Sequence, residues 1–212
     1  MIEKIRRKHK NDHNFESFMS KKFPIEKLER LRSPERLKEM PPAKILDFID
    51  LKENLKIADI GCGVGVYTIP IAKYIKERNG IVWAIDSEPI MLEETKKYAE
   101  SEGLTNVRYF KVEDTDLNLS EHFDIIVLVS LLHEFPNTEH SIQKIWTYLN
   151  NEGYILVVDA NLKKTPDEKG PPDEIRIPLN KAIDLFGKYS KDIFYINEFY
   201  PNKYLLKVKK SN

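Results

Sequence analysis

Residues 57–67 read Ile57-Ala58-Asp59-Ile60-Gly61-Cys62-Gly63-Val64-Gly65-Val66-Tyr67. An apolar run closes on an acid, a glycine-rich turn follows, and helical spacing sets in with Val66, Ile69, Ile71, Ala72 and Ile75. Three of the chain's eight glycines stand here at alternate positions. Glycine serves where backbone must turn sharply or pass close to a ligand. Strand, glycine turn and helix start together make a pocket with free N–H groups at the positive end of a helix, which suits a carboxylate or phosphate. The stretch therefore reads as the seat of a nucleoside-containing cofactor.

Working outward, the pattern alternates. Residues 55–60 form a first strand and 64–77 a helix. A second strand over 81–85 ends at Asp86, and Pro89 opens a helix to about Ser101. The third strand, 107–112, runs into Glu113 and Asp114. Residues 123–130 are almost unbroken apolar sequence, as in a parallel-sheet strand covered on both faces. A helix over 137–149, with Asn137 as N-cap, leads to a fifth strand over 154–158 that ends at Asp159. Strands alternating with helices imply a doubly wound parallel α/β sheet with right-handed crossovers. The rhythm breaks after a Pro- and charge-rich loop over 160–177 and a short helix over 179–188. Strand-like runs at 193–199 and 204–208 are separated by only four residues, too few for a crossover, so they make an antiparallel hairpin. The sheet is mostly parallel and finished by one reversed strand.

At 212 residues with 41% hydrophobic content, the chain supports one sizeable core. Its formal net charge is zero, so the whole-protein basic field that draws nucleic acid is absent, and a nucleic-acid partner is not expected. The single cysteine, Cys62, excludes an internal disulfide and gives no zinc-type spacing. His9, Asp12 and His13 sit in a polar tail, and Pro136 parts His133 from His140, so no metal site is expected. No apolar run nears the roughly 18 residues of a membrane span, and no apolar segment follows the basic N-terminus. A cytoplasmic protein is the expectation. Residues 1–40 carry helical spacing interrupted by Pro24 and Pro34, with Ser33 as an N-cap. They form an N-terminal helical segment ahead of a main domain over 41–212. Phe15, Phe18, Met19 and Phe23 make this segment either an apolar lid or a helix packed on the sheet's flank.

Ligands of an open parallel sheet bind beyond the carboxyl ends of its strands. Asp59, Asp86, Asp114 and Asp159 all stand at or just inside such ends. A carboxylate at the tip of the second strand can accept from both ribose hydroxyls. As plain structure, the same acids would cap the helices that follow. Taken together, residues 59–65 resemble the first motif of class I S-adenosylmethionine-dependent methyltransferases, in the form D-x-G-x-G-x-G. Asp86 matches that family's second-strand acid, Glu113-Asp114-Thr115 its adenine-side motif, and residues 123–126 with 130–133 its fourth motif. Gly153 matches the glycine before the fifth strand. The resemblance covers roughly residues 40–160. It implies a Rossmann-like, seven-stranded sheet of order 3-2-1-4-5-7-6 with helices on both faces. The flavour is that of the small-molecule branch with the quinone-biosynthesis and arsenite enzymes; one cysteine argues against arsenite chemistry.

On that resemblance the cofactor is S-adenosyl-L-methionine, leaving as S-adenosyl-L-homocysteine. Asp59, Gly61, Cys62, Gly63 and Gly65 would hold its aminocarboxypropyl end, and Asp86 its ribose, with Ser87 and Glu88 alongside. Asp114 and the backbone of Glu113 to Thr115 would read the adenine, while Ser130 and Leu131 would line the methionyl end. Tyr67 packs against either cofactor or core. His133 and Glu134 follow strand four at the acceptor edge and are the candidate bases; the alternative for His133 is a neutral ring that fixes the loop. Arg176 is either an anchor for an acidic substrate group or part of the loop's own packing. The expected activity is methyl transfer to a small molecule. A protein or RNA acceptor and a non-catalytic nucleoside-binding module are the alternatives. No residue pattern speaks to the acceptor atom or the oligomeric state.

Overall fold

The computed structural model describes residues 28–113, 117–165, 168 and 170–211. The apolar N-terminal residues and polar-tail histidines singled out above, as well as Asp114 and Thr115, lie outside these described residues. Two short helices, α1 (Leu28–Leu31) and α2 (Pro34–Glu39), lead in. Ser33 caps α2 by accepting from Arg36 N at 3.3 Å, and Pro34 takes the first turn, where no N–H is needed. A 3₁₀ turn over Pro42–Phe48 follows.

The sheet contains β1 (Lys56–Ile60), β2 (Ile81–Asp86), β3 (Val107–Lys111), β4 (Phe123–Val129), β5 (Leu149–Ala160), β6 (Ile193–Tyr200) and β7 (Lys203–Lys209). Its order is β3-β2-β1-β4-β5-β7-β6, as the resemblance implies. Strands β3, β2, β1, β4 and β5 pair in parallel in that order; β7 runs antiparallel to both β5 and β6. Helices α3 (Thr68–Ile75) and α4 (Pro89–Ser101) cover one face, with α5 (Thr138–Thr147) and α6 (Leu179–Phe186) on the other. The two-residue period of each strand sorts its side chains between these faces. Ile57, Val82, Ile125 and Leu156 join the α3 side, whereas Ala58, Ile85, Ile126 and Ile155 join the α5 side. This is why β4 has to be apolar throughout.

Two elements depart from the sequence reading. Helix α3 begins at Thr68 rather than residue 64. Gly61, Gly63 and Gly65 all have positive φ (72°, 54° and 82°), so the backbone cannot be right-handed helix until the turn is complete. Strand β5 begins at Leu149, earlier than expected, because Asn150 Nδ2 bonds Asp124 Oδ1 at 2.9 Å and Glu152 N bonds Lys210 O at 2.9 Å. Gly153 is required in β5 by crowding. A Cβ there would stand 2.7 Å from the carbonyl oxygen of Asp124.

Candidate functional site

The glycine turn is fastened to its neighbours by backbone bonds. Gly61 N and Cys62 N both donate to Ile85 O, at 2.8 and 3.1 Å, which ties the turn to the end of β2. Gly63 is held on both sides of its peptide plane. Its N–H donates to Asp86 Oδ2 at 2.9 Å, and its carbonyl accepts from Thr95 Oγ1 at 2.7 Å. The other Asp86 oxygen accepts from Glu88 N at 3.0 Å. Burial raises the Asp86 carboxyl above its ordinary value, against the N–H groups of Glu88, Gly63 and Ser87 that pull the other way. A carboxylate has about four acceptor positions, so lone pairs on both oxygens stay available to hydroxyl donors.

Asp59 lies beneath the turn at 2% exposure, and Thr68 Oγ1 donates to its Oδ2 at 2.5 Å. Burial pushes its carboxyl up to about 7, with the neighbouring charge of Asp86 adding to the effect and the Thr68 hydroxyl opposing it. Two acids forced together under a backbone turn make a local negative potential that a cation relieves. Cys62 is buried, and its thiol points to Gly63 O at 3.6 Å. Burial, with Asp59 and Asp86 nearby, drives its pKa well up, so it is an inert neutral group. A Cβ on Gly63 would meet no atom within 4 Å, so open space lies above it; one on Gly61 would meet Leu131 Cδ1 at 2.7 Å. The turn after β1 and the loop after β4 therefore touch. Tyr67 is buried in the sheet core, with its hydroxyl beside Tyr200. Glu113 is exposed and paired with Lys111 Nζ at 2.8 Å.

After β4, Ser130 adopts φ +55° and its N–H donates to Val158 O at 2.7 Å. Its hydroxyl accepts from Lys203 Nζ at 3.1 Å. Asp159, fully buried near the end of β5, collects three donors: Leu132 N at 2.9 Å, Ala160 N at 2.7 Å and His133 Nδ1 at 2.9 Å. An acceptor-only carboxylate places the His133 proton on Nδ1. Its Nε2 faces Glu134 Oε1 at 3.9 Å, and the His133 side chain is 6% exposed against 63% for Glu134. This is the arrangement of a ring that fixes its loop. Arg176 serves the loop rather than an incoming acid. Its side chain is 1% exposed, donates to Pro171 O and Asn161 O, and lies between Glu168 and Asp173.

The sequence reading missed Thr68, Thr95 and Lys203, and for Asp159 it offered a strand-end ligand or a helix cap rather than the anchor of a neighbouring loop. Thr95 left a trace, a polar residue on the buried stripe of Met91 and Ala99. Lys203, a lysine in a hairpin turn, left none. A hollow of about 410 Å³ lined by Lys56, Glu121, His122 and Asp124 lies at the other end of the strands, away from all these groups.

A family described as a methyltransferase domain matches residues 51–187. The chain is 34% identical over 132 residues to a protein of Bacillus subtilis described as the uncharacterized methyltransferase YodH, covering 62% of this chain and 51% of that one. It is 31% identical over 81 residues to the 23S rRNA (uracil(1939)-C(5))-methyltransferase RlmD of Francisella tularensis, covering 38% of this chain and 16% of that one. The chain thus spans about half of the first relative's length and about a sixth of the second's. Among solved structures, a SAM dependent methyltransferase from Aquifex aeolicus superposes with a TM-score of 0.75 at 24% identity, covering 89% of this chain and all of that one. The plantazolicin methyltransferase BpumL, solved with SAH, superposes at 0.70 and 14% identity over the whole of both chains. The chain belongs to the methyltransferase-domain family, and its sheet is the fold of the S-adenosylmethionine-dependent enzymes.

Proposed function

We propose that the chain transfers a methyl group from S-adenosylmethionine to a small-molecule acceptor. The observation that carries this reading is the hold of Asp86 on Gly63 N, 2.9 Å across the glycine turn, within the matched methyltransferase domain. Asp86, with Ser87 and Glu88 beside it, is suited to the ribose hydroxyls. Asp59 and Asp86 together favour a cationic group, which fits the ammonium and sulfonium of this cofactor. The turn at Gly61, Cys62, Gly63 and Gly65 leaves room over Gly63 for its body. Glu113 with Asp114 and Thr115 is assigned the adenine, and Ser130 and Leu131 the methionyl end.

When bound, the cofactor supplies a methyl already activated by positive sulfur. The protein's task is then alignment and exclusion of water, and alignment of this kind can contribute up to about 7–11 kcal/mol. His133, tied by Asp159, acts as a positioning residue, and Glu134 is the accessible group for an acceptor that must lose a proton.

An RNA acceptor is the second reading, favoured by the likeness to the rRNA enzyme. No helix among the described residues is long and apolar enough to cross a membrane, which accords with an enzyme of the cytoplasm. Calorimetric titration with S-adenosylhomocysteine tests the cofactor assignment. Binding is expected, with at least tenfold weakening in Asp86→Ala; unchanged affinity in that variant removes the site. Incubation with methyl-labelled cofactor and separated small-molecule and RNA fractions tells the acceptor classes apart.

A further inference from the structure

Gly63, in the middle of the glycine turn, is held from two elements. Asp86, at the end of β2, accepts from its N–H at 2.9 Å, and Thr95, on α4, donates to its carbonyl oxygen at 2.7 Å. The first bond fixes the peptide plane between Cys62 and Gly63, and the second fixes the plane between Gly63 and Val64. Glycine has wide backbone freedom, so without these bonds either plane can rotate. The Cys62 thiol also points to Gly63 O, at 3.6 Å, but a thiol is a weak donor.

Thr95 is an unexpected residue for its place. It is 0% exposed, on the buried stripe of α4 with Met91 and Ala99, where threonine is a poorer helix former than alanine. A threonine hydroxyl inside a helix ordinarily donates to a carbonyl three or four residues back. Here its proton goes to the turn, 32 residues away in sequence. A Cβ on Gly65 would stand 3.1 Å from Thr95 Cγ2, so the same side chain backs the turn at both glycines.

The consequence lies on the far side of the Gly63–Val64 plane. The C=O and N–H of a trans peptide point in opposite directions, and no cis bond occurs among the described residues. With Gly63 O drawn to α4, the Val64 N–H points away from α4. Val64 is 1% exposed, and its N–H makes no hydrogen bond among the described residues. A buried amide proton without an acceptor is costly. On the neighbouring Gly63 a Cβ would meet no atom within 4 Å. An unspent donor and open space thus lie on adjacent residues.

We propose that Thr95 is a positioning residue for the cofactor: through Gly63 it keeps the Val64 N–H turned to the carboxylate of the cofactor's amino-acid tail. With the plane rotated, the carbonyl oxygen would face that carboxylate and repel it. A hydrogen bond to a charged group is stronger than a neutral one, enough for about a tenfold effect on binding.

The role rests on the methyl-transfer reading, and the two are tested apart. S-adenosylhomocysteine and its decarboxylated analogue, which differs by the carboxylate alone, are titrated calorimetrically into wild type, Thr95→Ser and Thr95→Val, with urea unfolding to show that each is folded. Wild type should prefer S-adenosylhomocysteine at least tenfold over the analogue. Thr95→Val keeps the shape and loses the hydroxyl. It should bind S-adenosylhomocysteine at least tenfold more weakly, with affinity for the analogue within threefold of wild type. Thr95→Ser keeps the hydroxyl and should stay within threefold of wild type for both ligands. Should Thr95→Val not fold, Thr95→Ala removes the same hydroxyl in favour of a better helix former and carries the same expectations. Loss of merely structural support would weaken both ligands in parallel, and that result overturns the proposal. So do unchanged S-adenosylhomocysteine affinity in the valine or alanine variant, a loss in Thr95→Ser equal to that in Thr95→Val, and a wild type without preference for the carboxylate. If the wild type binds neither ligand, the methyl-transfer reading falls and the role of Thr95 with it. Binding of both ligands with no effect at Thr95 leaves that reading intact and removes the role.

Discussion

His133 Nδ1 lies 2.9 Å from Asp159 Oδ1, and this bond joins the loop after β4 to the end of β5. The same carboxylate holds Leu132 N and Ala160 N. One buried acid therefore sets the course of residues 130–134, including Leu131, which closes on Gly61 of the glycine turn.

Asp159→Asn is expected to cost about 2–3 kcal/mol, because three donors are left with one acceptor oxygen and an amide that can only compete with them. His133→Ala removes a single donor and should cost less. A double-mutant cycle on the pair should return a coupling of about 1–2 kcal/mol. Urea unfolding measures all three. Additive effects would mean that the ring does not depend on Asp159. S-adenosylhomocysteine affinity should fall in Asp159→Asn even though the residue lies under the loop, since the loop it fixes touches Gly61.

Why some of this was legible in the sequence follows from its causes. The sheet order rests on periodicities and on short links, both written locally, and the acids Asp59, Asp86 and Asp159 stand out because each ends an apolar run. Their tasks were not written locally. Asp59 faces Thr68, nine residues on, while Asp159 faces His133 and Lys203 reaches Ser130, each across strands far apart in sequence. Long-range side-chain bonds have no period. Arg176 shows a choice the sequence leaves open: a lone arginine in a Pro-rich loop could anchor a substrate acid or pack its loop, and its side chain donates to Pro171 O and Asn161 O of that loop.

Gly63 and Gly65 should separate binding from folding. Both have positive φ, so alanine strains either by about 1–2 kcal/mol. A Cβ on Gly65 would also press on Thr95 at 3.1–3.2 Å, and Thr95 is the residue that holds Gly63 O. Gly65→Ala is therefore expected to lose the more stability. Above Gly63 the added methyl meets nothing within 4 Å of protein. Gly63→Ala should fold with only the backbone cost and yet bind S-adenosylhomocysteine at least tenfold more weakly. Wild-type affinity in that variant would place the cofactor elsewhere.

Asp59 links the site to pH. Its carboxyl titrates at 3.8 when exposed and at about 7 in the fold, chiefly through burial. The sign follows from proton counting. Below the unfolded value both states are protonated and no penalty applies. Between about 4 and 7 the unfolded chain gives up this proton while the folded one keeps it, so stability falls as pH rises. Above about 7 the loss is complete and constant. The full interval corresponds to roughly 4 kcal/mol. From pH 5 to pH 8 the wild type should lose about 2–3 kcal/mol more than Asp59→Asn, whose amide oxygen still accepts from Thr68. A cationic ligand group beside Asp59 favours its ionised form, so cofactor binding below pH 7 should release a proton and weaken as pH falls. Calorimetry in buffers of different ionisation enthalpy reads that release directly. Binding with no proton release at pH 6 in the wild type, or the same release in Asp59→Asn, would show that the ammonium does not sit over this carboxylate.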